Sequence, residues 1–534
     1  MYLEIRQKNS TYYGVIRSSY REGGRGHHLN HGTLWNMPLQ TLKMIQLALA
    51  DKAIPKDKKS KTLSSKEYGA SHAFLTLIHQ TGLDKMIYSR PNEQWVKDIQ
   101  AMIIGRLVYA GSKLHLSNTY KDSALWELCG VEGKADVEAH CYLPMDRLLE
   151  RQKAIQKQLV KKHLSKGTLI MYDITSSYME GDYAHSEIVM NGYNRDLKKG
   201  HEQICIGLLC NEDGCPVVVE VFPGNTQDAD TVMQKLHELR QVYGVEDILF
   251  VGDRGMITPI NYKKISGKKL AYVVTALTHR QIKELLNRRV IQLGLFDENN
   301  IVEIVDPQSP EKRYCLCRNE GVSLKERKTR RGILTKIEKN LNKISAVKKR
   351  RKPEEIGKLV GKALAKTNME HFIDWKVCDG RLEWKFFKEK IAEAELLDGC
   401  YIIFTDVSQE RLNTKNVVKT YKNLQLVEQA FRQLKTVLLE MRPMYHHKDD
   451  RIRSHVFICM LSYYILWHFK NKLKVLFDDK QNTGKNRYWT IDNAIERLKS
   501  IRKDTREING IHYPEITMPD DEQKKILKLI DVNL

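Results

Sequence analysis

Leu169-Ile170-Met171-Tyr172-Asp173 is an apolar run that stops on an acid, and Ile248-Leu249-Phe250-Val251-Gly252-Asp253 repeats the arrangement further along the chain. Both read as buried strands. Two more apolar runs, 204–209 and 217–222, lie between them, and 231–242 has helical periodicity. Three strands, a helix and a strand predict a mixed sheet whose first three strands meander antiparallel. Residues 271–276 supply a fifth strand. If the first and fourth strands are neighbours, Asp173 and Asp253 emerge on one edge, where ligands of open α/β sheets bind. An Asp after a strand also serves as a turn former or helix N-cap, so a third acid decides between the readings.

Glu428 is that third acid. Around it Leu424, Val427, Phe431, Leu434 and Leu438 recur every three or four residues, the stripe of a helix buried along one side. Glu428, Arg432 and Lys435 form a polar ridge beside the stripe. Alone, such a ridge is a surface salt-bridge pattern. On a helix docked against the sheet, it brings a carboxylate to the two aspartates and turns cations toward a phosphodiester. Three carboxylates without a Cys or His cluster suit Mg2+ or Mn2+ rather than zinc. Two such ions about 3.5–4 Å apart serve in-line phosphoryl displacement.

Composition agrees with a polyanionic substrate. The 534 residues exceed what one core organises, and 88 Lys and Arg against 66 Asp and Glu leave a net charge of +22. Nucleic acid and anionic membrane are the candidate partners. The longest apolar stretch, 456–467, contains Ser462, Tyr463 and Tyr464 and is too short to span a bilayer, so it reads as a core helix. The first residues mix charges and do not resemble a secretion signal; the cytoplasm, with nucleoid association, is the expected location. Ten cysteines with no Cys-x-x-Cys pair, the nearest approach being Cys315-x-Cys317, read as reduced buried thiols.

Six regions are expected. Residues 1–66 hold a hairpin closed by a glycine turn at Gly23-Gly24, then a linker or phosphate-contacting edge rich in lysine (Lys52, Lys56, Lys58, Lys59, Lys61, Lys66). Residues 67–164 form a helical, DNA-binding domain whose Lys113, Lys121, Arg147, Arg151 and Lys153 sit on exposed faces, reading DNA or merely solvated. Residues 165–279 and 399–475 are two parts of one sheet-containing core. Between them, 280–398 is a basic insertion domain, and 476–534 is a C-terminal tail. Within the insertion, 321–353 carries thirteen Lys or Arg against Glu326 and Glu338, half of the net charge. Lys328, Arg330, Arg331, Lys348, Lys349, Arg350 and Arg351 are its candidates for a clamp along a phosphate backbone; the bland alternative is a solvated helix. His455 reads as a structural histidine, and Asp228 and Asp230 as charges at the start of the 231–242 helix.

These motifs resemble the DDE transposases of bacterial insertion sequences, in the insertion-sequence-four group with a Tyr-Arg-Glu-Lys signature. The matching residues are Tyr421, Glu428 and Lys435, with Leu424 where the group has arginine; Tyr172-Asp173-Ile174-Thr175-Ser176; Phe222-Pro223-Gly224-Asn225-Thr226-Gln227-Asp228; and Asp253-Arg254-Gly255. The resemblance runs from about Ser18 onward. It implies a multidomain α/β protein with a ribonuclease H-like mixed-sheet core, an insertion domain and a helical N-terminal domain. It further implies a metal-dependent nuclease that cuts transposon ends and transfers 3′-OH strands into target DNA, by a cut-and-paste route. Asp173, Asp253 and Glu428 would be catalytic and hold two Mg2+ or Mn2+ ions. Tyr421, Lys435 and Arg432, the last standing in for the missing arginine, would grip DNA, and Arg254 would touch a phosphate or a neighbouring carboxylate. The partners would be double-stranded DNA, as terminal inverted repeats and target, and a second copy in a homodimer. Trp375 and Trp384 would stack on a flipped base or serve as core anchors. A ribonuclease H-like nuclease that does not join strands and a domesticated, non-catalytic DNA-binding descendant are the alternatives; a carboxylate-pair glycosidase fits neither the charge nor the basic insertion.

Overall fold

A computed structural model of the chain describes residues 1–8, 11–49, 61–164, 169–193, 200–288, 290, 301–347, 349–365, 367–437, 439–479, 482, 488–508 and 511–534. At the N-terminus β1 (Tyr2–Lys8), β2 (Thr11–Glu22) and β3 (Arg25–Leu34) form an antiparallel sheet, with α1 (Leu39–Leu49) packed on β1. The β2–β3 hairpin turns on Gly23 and Gly24, whose φ angles of 60° and 81° suit a two-residue loop matching the strand twist. Of the lysine-rich stretch, residues 51–60 lie outside the described residues. The remainder is no linker: β4 (Lys61–Glu67) pairs with a strand near the C-terminus.

Helices α2 (Gly69–Thr81), α3 (Leu83–Ile87), α4 (Gln94–Val108), α5 (Lys113–Asn118), α6 (Leu125–Leu128) and α7 (Leu143–His163) follow, as the periodicity predicts. Gly82, at φ 69°, caps α2 in the left-handed conformation and lets α3 turn away. The basic residues of this layer do not share one exposed face. Lys121, Arg147 and Lys153 are exposed, but Arg151 donates to the Ile87 carbonyl and stacks on Tyr88, and Lys113 is buried.

The sheet begins with β5 (Leu169–Tyr178), β6 (Gln203–Asn211) and β7 (Pro216–Pro223), an antiparallel meander. Helix α8 (Asp228–Gln241) then crosses back, so that β8 (Leu249–Val251) pairs with β5 in parallel. Next come α9 (Pro259–Gly267), β9 (Tyr272–Ala276), parallel to β8, and α10 (His279–Asn287). Strands β10 (Ile301–Asp306) and β11 (Ser309–Arg318) join the same sheet through a later strand, so the main sheet reaches into the interval expected to be a separate insertion.

A separate body with its own apolar core follows. It comprises α11 (Glu320–Ser345), α12 (Pro353–Leu364), the hairpin β12 (Ile373–Cys378) and β13 (Arg381–Phe386), and α13 (Lys388–Leu396). Leu334, Ile337 and Leu341 of α11 meet Ile356 and Val360 of α12 over Leu382. The chain returns through β14 (Cys400–Thr405), giving the eight-stranded order β10-β11-β14-β9-β8-β5-β6-β7. Then come α14 (Thr414–Asn423), α15 (Gln425–Arg432), α16 (Asp449–Lys472), α17 (Lys474–Phe477), α18 (Ile491–Lys499), β15 (Arg502–Ile508), β16 (Ile511–Ile516) and α19 (Asp521–Leu529). β15 holds β4 on one side and β16 on the other.

The centre of helix α16, from Ser454 to Leu466, is largely apolar because it is covered by α2, α4, α7 and β7. Its two buried serines are satisfied within the core: the Ser454 hydroxyl donates to Met145 O at 2.7 Å, and the Ser462 hydroxyl to Ile458 O at 2.8 Å. No helix among the described residues is long and apolar enough to cross a membrane. Nine of the ten cysteines are buried, and all are free.

One glycine in the sheet is dictated by packing. A Cβ on Gly207 of β6 would overlap the Tyr172 hydroxyl and press on the Phe222 ring at 3.0 Å. Gly207→Val is therefore expected to lower stability by about 1–3 kcal/mol. Denaturant unfolding should register this as a lower midpoint with an unchanged slope; an unchanged midpoint would contradict this packing.

Candidate active site

Strand β5 does not stop at Asp173 as the apolar run suggests. It continues to Tyr178, because Asp173, Ile174, Thr175, Ser176 and Ser177 keep their ladder with β6, where Asp173 lies opposite Leu208. The hydrophobic run ends at Tyr172, six residues before the ladder does at Tyr178. Asp173 is thus a half-buried mid-strand residue, and Asp253 sits just beyond the end of β8 and is exposed.

The parallel register puts each of the two acids two residues beyond its last pair, Met171 with Val251. Leu169 pairs with Leu249, Ile170 with Phe250 and Met171 with Val251, so the next residue of the same parity on each strand is Asp173 and Asp253. The Asp253 carboxylate accepts the Arg254 backbone N–H at 2.7 Å, which fixes its direction at the turn.

The stretch carrying the third acid is three helical pieces instead of one long helix. Asn413 caps α14 by accepting from Asn416 N, α14 ends at Asn423, α15 restarts after Leu424, and residues 433–437 close as a π-helical turn. Leu424 is buried, so the arginine of the signature would here have to enter the core. α15 packs on β5 and β6. Its Leu426 lies 3.0 Å from a Cβ built on Gly214 in the β6–β7 turn, and Asn423 donates to Glu212 O at 3.5 Å. Gly214, at φ 79°, both makes that turn and leaves room for the helix. Val427, Ala430 and Phe431 face the core, and Glu428 and Arg432 stay exposed.

Tyr421, at the end of α14, reports the convergence. Burial first, and then the carboxylates of Asp253 and Glu428, push its phenol up to about 12, with Arg254 opposing. Asp228, which the sequence presents only as a charge at a helix start, adds a second signal. Asp228, in the first turn of α8, has Oδ2 4.0 Å from a Cβ built on Gly255, and Asp253 Oδ2 lies at the same 4.0 Å. Four acids, Asp173, Asp228, Asp253 and Glu428, therefore stand around one region of the sheet. The spacing of Asp228 from Asp253 in sequence carries no hint of this; only the α8 crossover creates it.

All-carboxylate donors fit a hard divalent cation. Among the described residues, however, no three His, Cys, Asp or Glu side chains are drawn together closely enough to hold one ion. The acids are arranged around the site without forming a closed coordination sphere.

The cations divide into two groups. Arg254 and Arg432 are exposed, but Lys435 is 8% exposed. A π turn takes more residues per revolution than the 3.6 used to count the stripe, so Lys435 rotates inward beside Leu434. In the basic segment Lys328, Arg331, Lys349 and Arg350 are exposed and Arg351 is half-buried, while Lys348 lies outside the described residues. Arg330 is committed within the protein: its guanidinium forks onto the buried Asp398 carboxylate, with Nη1 donating to Oδ2 at 2.8 Å. Trp375 and Trp384 are cross-strand partners in β12–β13; Trp384 packs on the second core, and Trp375 is 40% exposed.

Comparison with known proteins bears on the same region. No curated protein sequence matches the chain. Residues 183–465 match a family model described as "Transposase DDE domain". The match spans Asp253, Glu428, Tyr421 and the whole basic interval, and it begins just after β5 with its Asp173. Members of that family act on DNA and generally depend on divalent metal ions. A match over more than half of the chain, ending within the central helix α16, makes this protein a member of the transposase DDE family.

Proposed function

We propose that this protein is a cut-and-paste DNA transposase of the insertion-sequence-four group, built on a ribonuclease H-like core. In this reading it cuts the ends of a mobile element and joins the freed 3′ hydroxyls to target DNA. The observation that carries it is the parallel β5–β8 register, which aligns Asp173 with Asp253 beneath the helix bearing Glu428.

Asp173, Asp253 and Glu428 would hold Mg2+ or Mn2+, two ions in the working complex. The chemistry such ions supply when bound is activation of the attacking oxygen and stabilisation of the leaving oxygen in an in-line displacement. The chain itself binds and orients the strand. Tyr421 remains a neutral phenol throughout the physiological range, because its proton is held by burial and two acids, and so donates to a phosphate oxygen. Arg254 and Arg432 offer exposed guanidinia that match phosphate geometry. Asp228 adds negative charge beside Asp253 and favours a cation there. The exposed lysines and arginines of α11 and the following loop form a backbone clamp, and a homodimer would hold two element ends together.

Asp173→Asn, Asp253→Asn and Glu428→Gln, each near-isosteric, are expected to lower cleavage of end-containing DNA by at least about a thousandfold while retaining DNA binding. EDTA should abolish cutting by the native protein, and added Mg2+ or Mn2+ should restore it. A variant that cuts at the native rate would remove that acid from the site. Detection of joined donor and target DNA separates a transposase from a nuclease that only cuts, and binding without any cutting by the native protein would identify the non-catalytic alternative.

Tyr421→Phe is expected to weaken cleavage by about tenfold, with unchanged folding. For the clamp, replacing Lys328, Arg331, Lys349 and Arg350 together by alanine should flatten the plot of log affinity against log salt by about 3 to 4. An unchanged salt slope in fluorescence anisotropy would assign these residues to solvation alone.

A further inference from the structure

Arg106, Lys113, His446 and His455 line a cavity of about 280 Å3 enclosed by α4, the start of α5 and the segment leading into α16, with Tyr142 on its wall. All four side chains are buried, Arg106 to 5% and Lys113 to 4% exposure. Arg106 Nη1 donates to the Leu439 and Glu440 carbonyls at 3.3 and 3.2 Å, which are neutral partners. Among the described residues, Lys113 Nζ and His455 Nδ1 have no hydrogen-bond partner, and no Asp or Glu lines the cavity. The nearby Arg451 adds another positive charge and spends its own hydrogen bonds on Glu138 and Asp146.

Burial first, and then the Arg106 charge, bring the Lys113 ammonium down to about 8, so it is mostly protonated at neutral pH. His446, pulled to about 3 by burial and then by Lys113, is neutral, and so is His455 for the same reasons. Two positive charges and two neutral imidazoles therefore surround a space that no carboxylate lines among the described residues; Glu440, exposed and not part of the lining, acts on Arg106 from outside. Such an arrangement carries a large desolvation penalty that water relieves only in part, because water supplies hydrogen bonds but no charge.

We propose that this cavity is a binding site for a phosphate group. Phosphate oxygens accept charge-assisted hydrogen bonds from both cations, and the neutral His446 imidazole offers a further donor; His455 spends its one N–H on the Met441 carbonyl, so its Nδ1 accepts only from a protonated phosphate oxygen. The group has two possible sources. One is a phosphate of bound DNA, which rests on the function proposed above; the other is a free phosphate or nucleotide, which does not.

Inorganic phosphate titrated into the full-length, metal-free protein tests the site. Melting temperature and 31P line width are followed, with chloride at matched ionic strength as the control. The melting temperature of the native protein and of Lys113→Arg is expected to rise with phosphate, while that of Lys113→Met stays flat. The 31P line should broaden with the native protein, a reading that does not depend on any variant folding. In a parallel arm, duplex DNA is bound at several salt concentrations. If DNA supplies the phosphate, Lys113→Met weakens duplex binding by about tenfold, flattens the salt slope by about 1, and inorganic phosphate competes. Unchanged duplex binding alongside an intact phosphate response assigns the site to the free ion or nucleotide. Absence of a phosphate response beyond chloride in the native protein, or an equal response in Lys113→Met, overturns the proposal. Neither arm measures cleavage, so either can succeed where the catalytic assignment fails.

Discussion

The parallel pairing of β5 with β8 is the constraint on which the rest of this molecule depends. Parallel neighbours need a crossover, and here β6, β7 and α8 provide it, so the chain leaves β5, builds half of the sheet and returns beside its starting strand. That return aligns Asp173 with Asp253, and it also lays the first turn of α8, with Asp228, against the same edge. Covering the faces of this sheet is what the remaining large elements do. α16 and α7 lie against β7, and α15 lies against β5 and β6, which leaves β6 buried along its whole length.

The strands and long helices were legible because their burial is one-sided or complete and their side chains are correspondingly apolar. The runs at 204–209 and 217–222 extend by only a residue or two into β6 and β7, and the stretch at 456–467 is the centre of α16. Legibility failed where a backbone ladder continues under polar side chains. Thr175, Ser176 and Ser177 are buried in β5, yet no hydrophobic count would enrol them. It failed again at the helix of Glu428, since a break at Leu424 and a π turn at 433–437 leave the apolar periodicity nearly intact while changing which residues face outward. Lys113 was misjudged for a related reason: a lysine at the start of a short helix has no sequence mark of burial, which here comes from the segment around His446, far away in the chain.

The basic interval divides according to what each part can bury. β10 and β11 carry alternating or continuous apolar residues that find an edge at β14, so they join the main sheet. From Glu320 to Leu396 the chain instead closes on itself, with Leu334, Ile337 and Leu341 repeating along α11 to seat α12 and the hairpin. The Arg330–Asp398 fork pins the start of this body to the strand that returns to the sheet, and it does so by taking one arginine out of the exposed set. Charge density in sequence therefore overstates the surface available to a polyanion, and the exposed remainder on α11 and the loop before α12 is the relevant quantity.

The departures from local regularity are connected through the backbone. The π turn that follows Glu428 ends in hydrogen bonds from Leu439 N to Gln433 O and from Met441 N to Leu434 O, which fold residues 439–441 back on the Glu428 helix. The Leu439 and Glu440 carbonyls then receive Arg106 of α4, and the Met441 carbonyl approaches His455 Nε2 at 3.3 Å. One short segment thus joins the Glu428 helix to the cationic cavity, and its geometry is held by groups on two other helices. A regular helix through 433–441 would satisfy its own carbonyls and release Arg106, so the π turn and the buried arginine sustain each other. Strained or polar features retained in a core cluster where function constrains the chain. Their continuity here makes the position of Glu428 depend on residues of the N-terminal helical layer, which contribute no acid to the site.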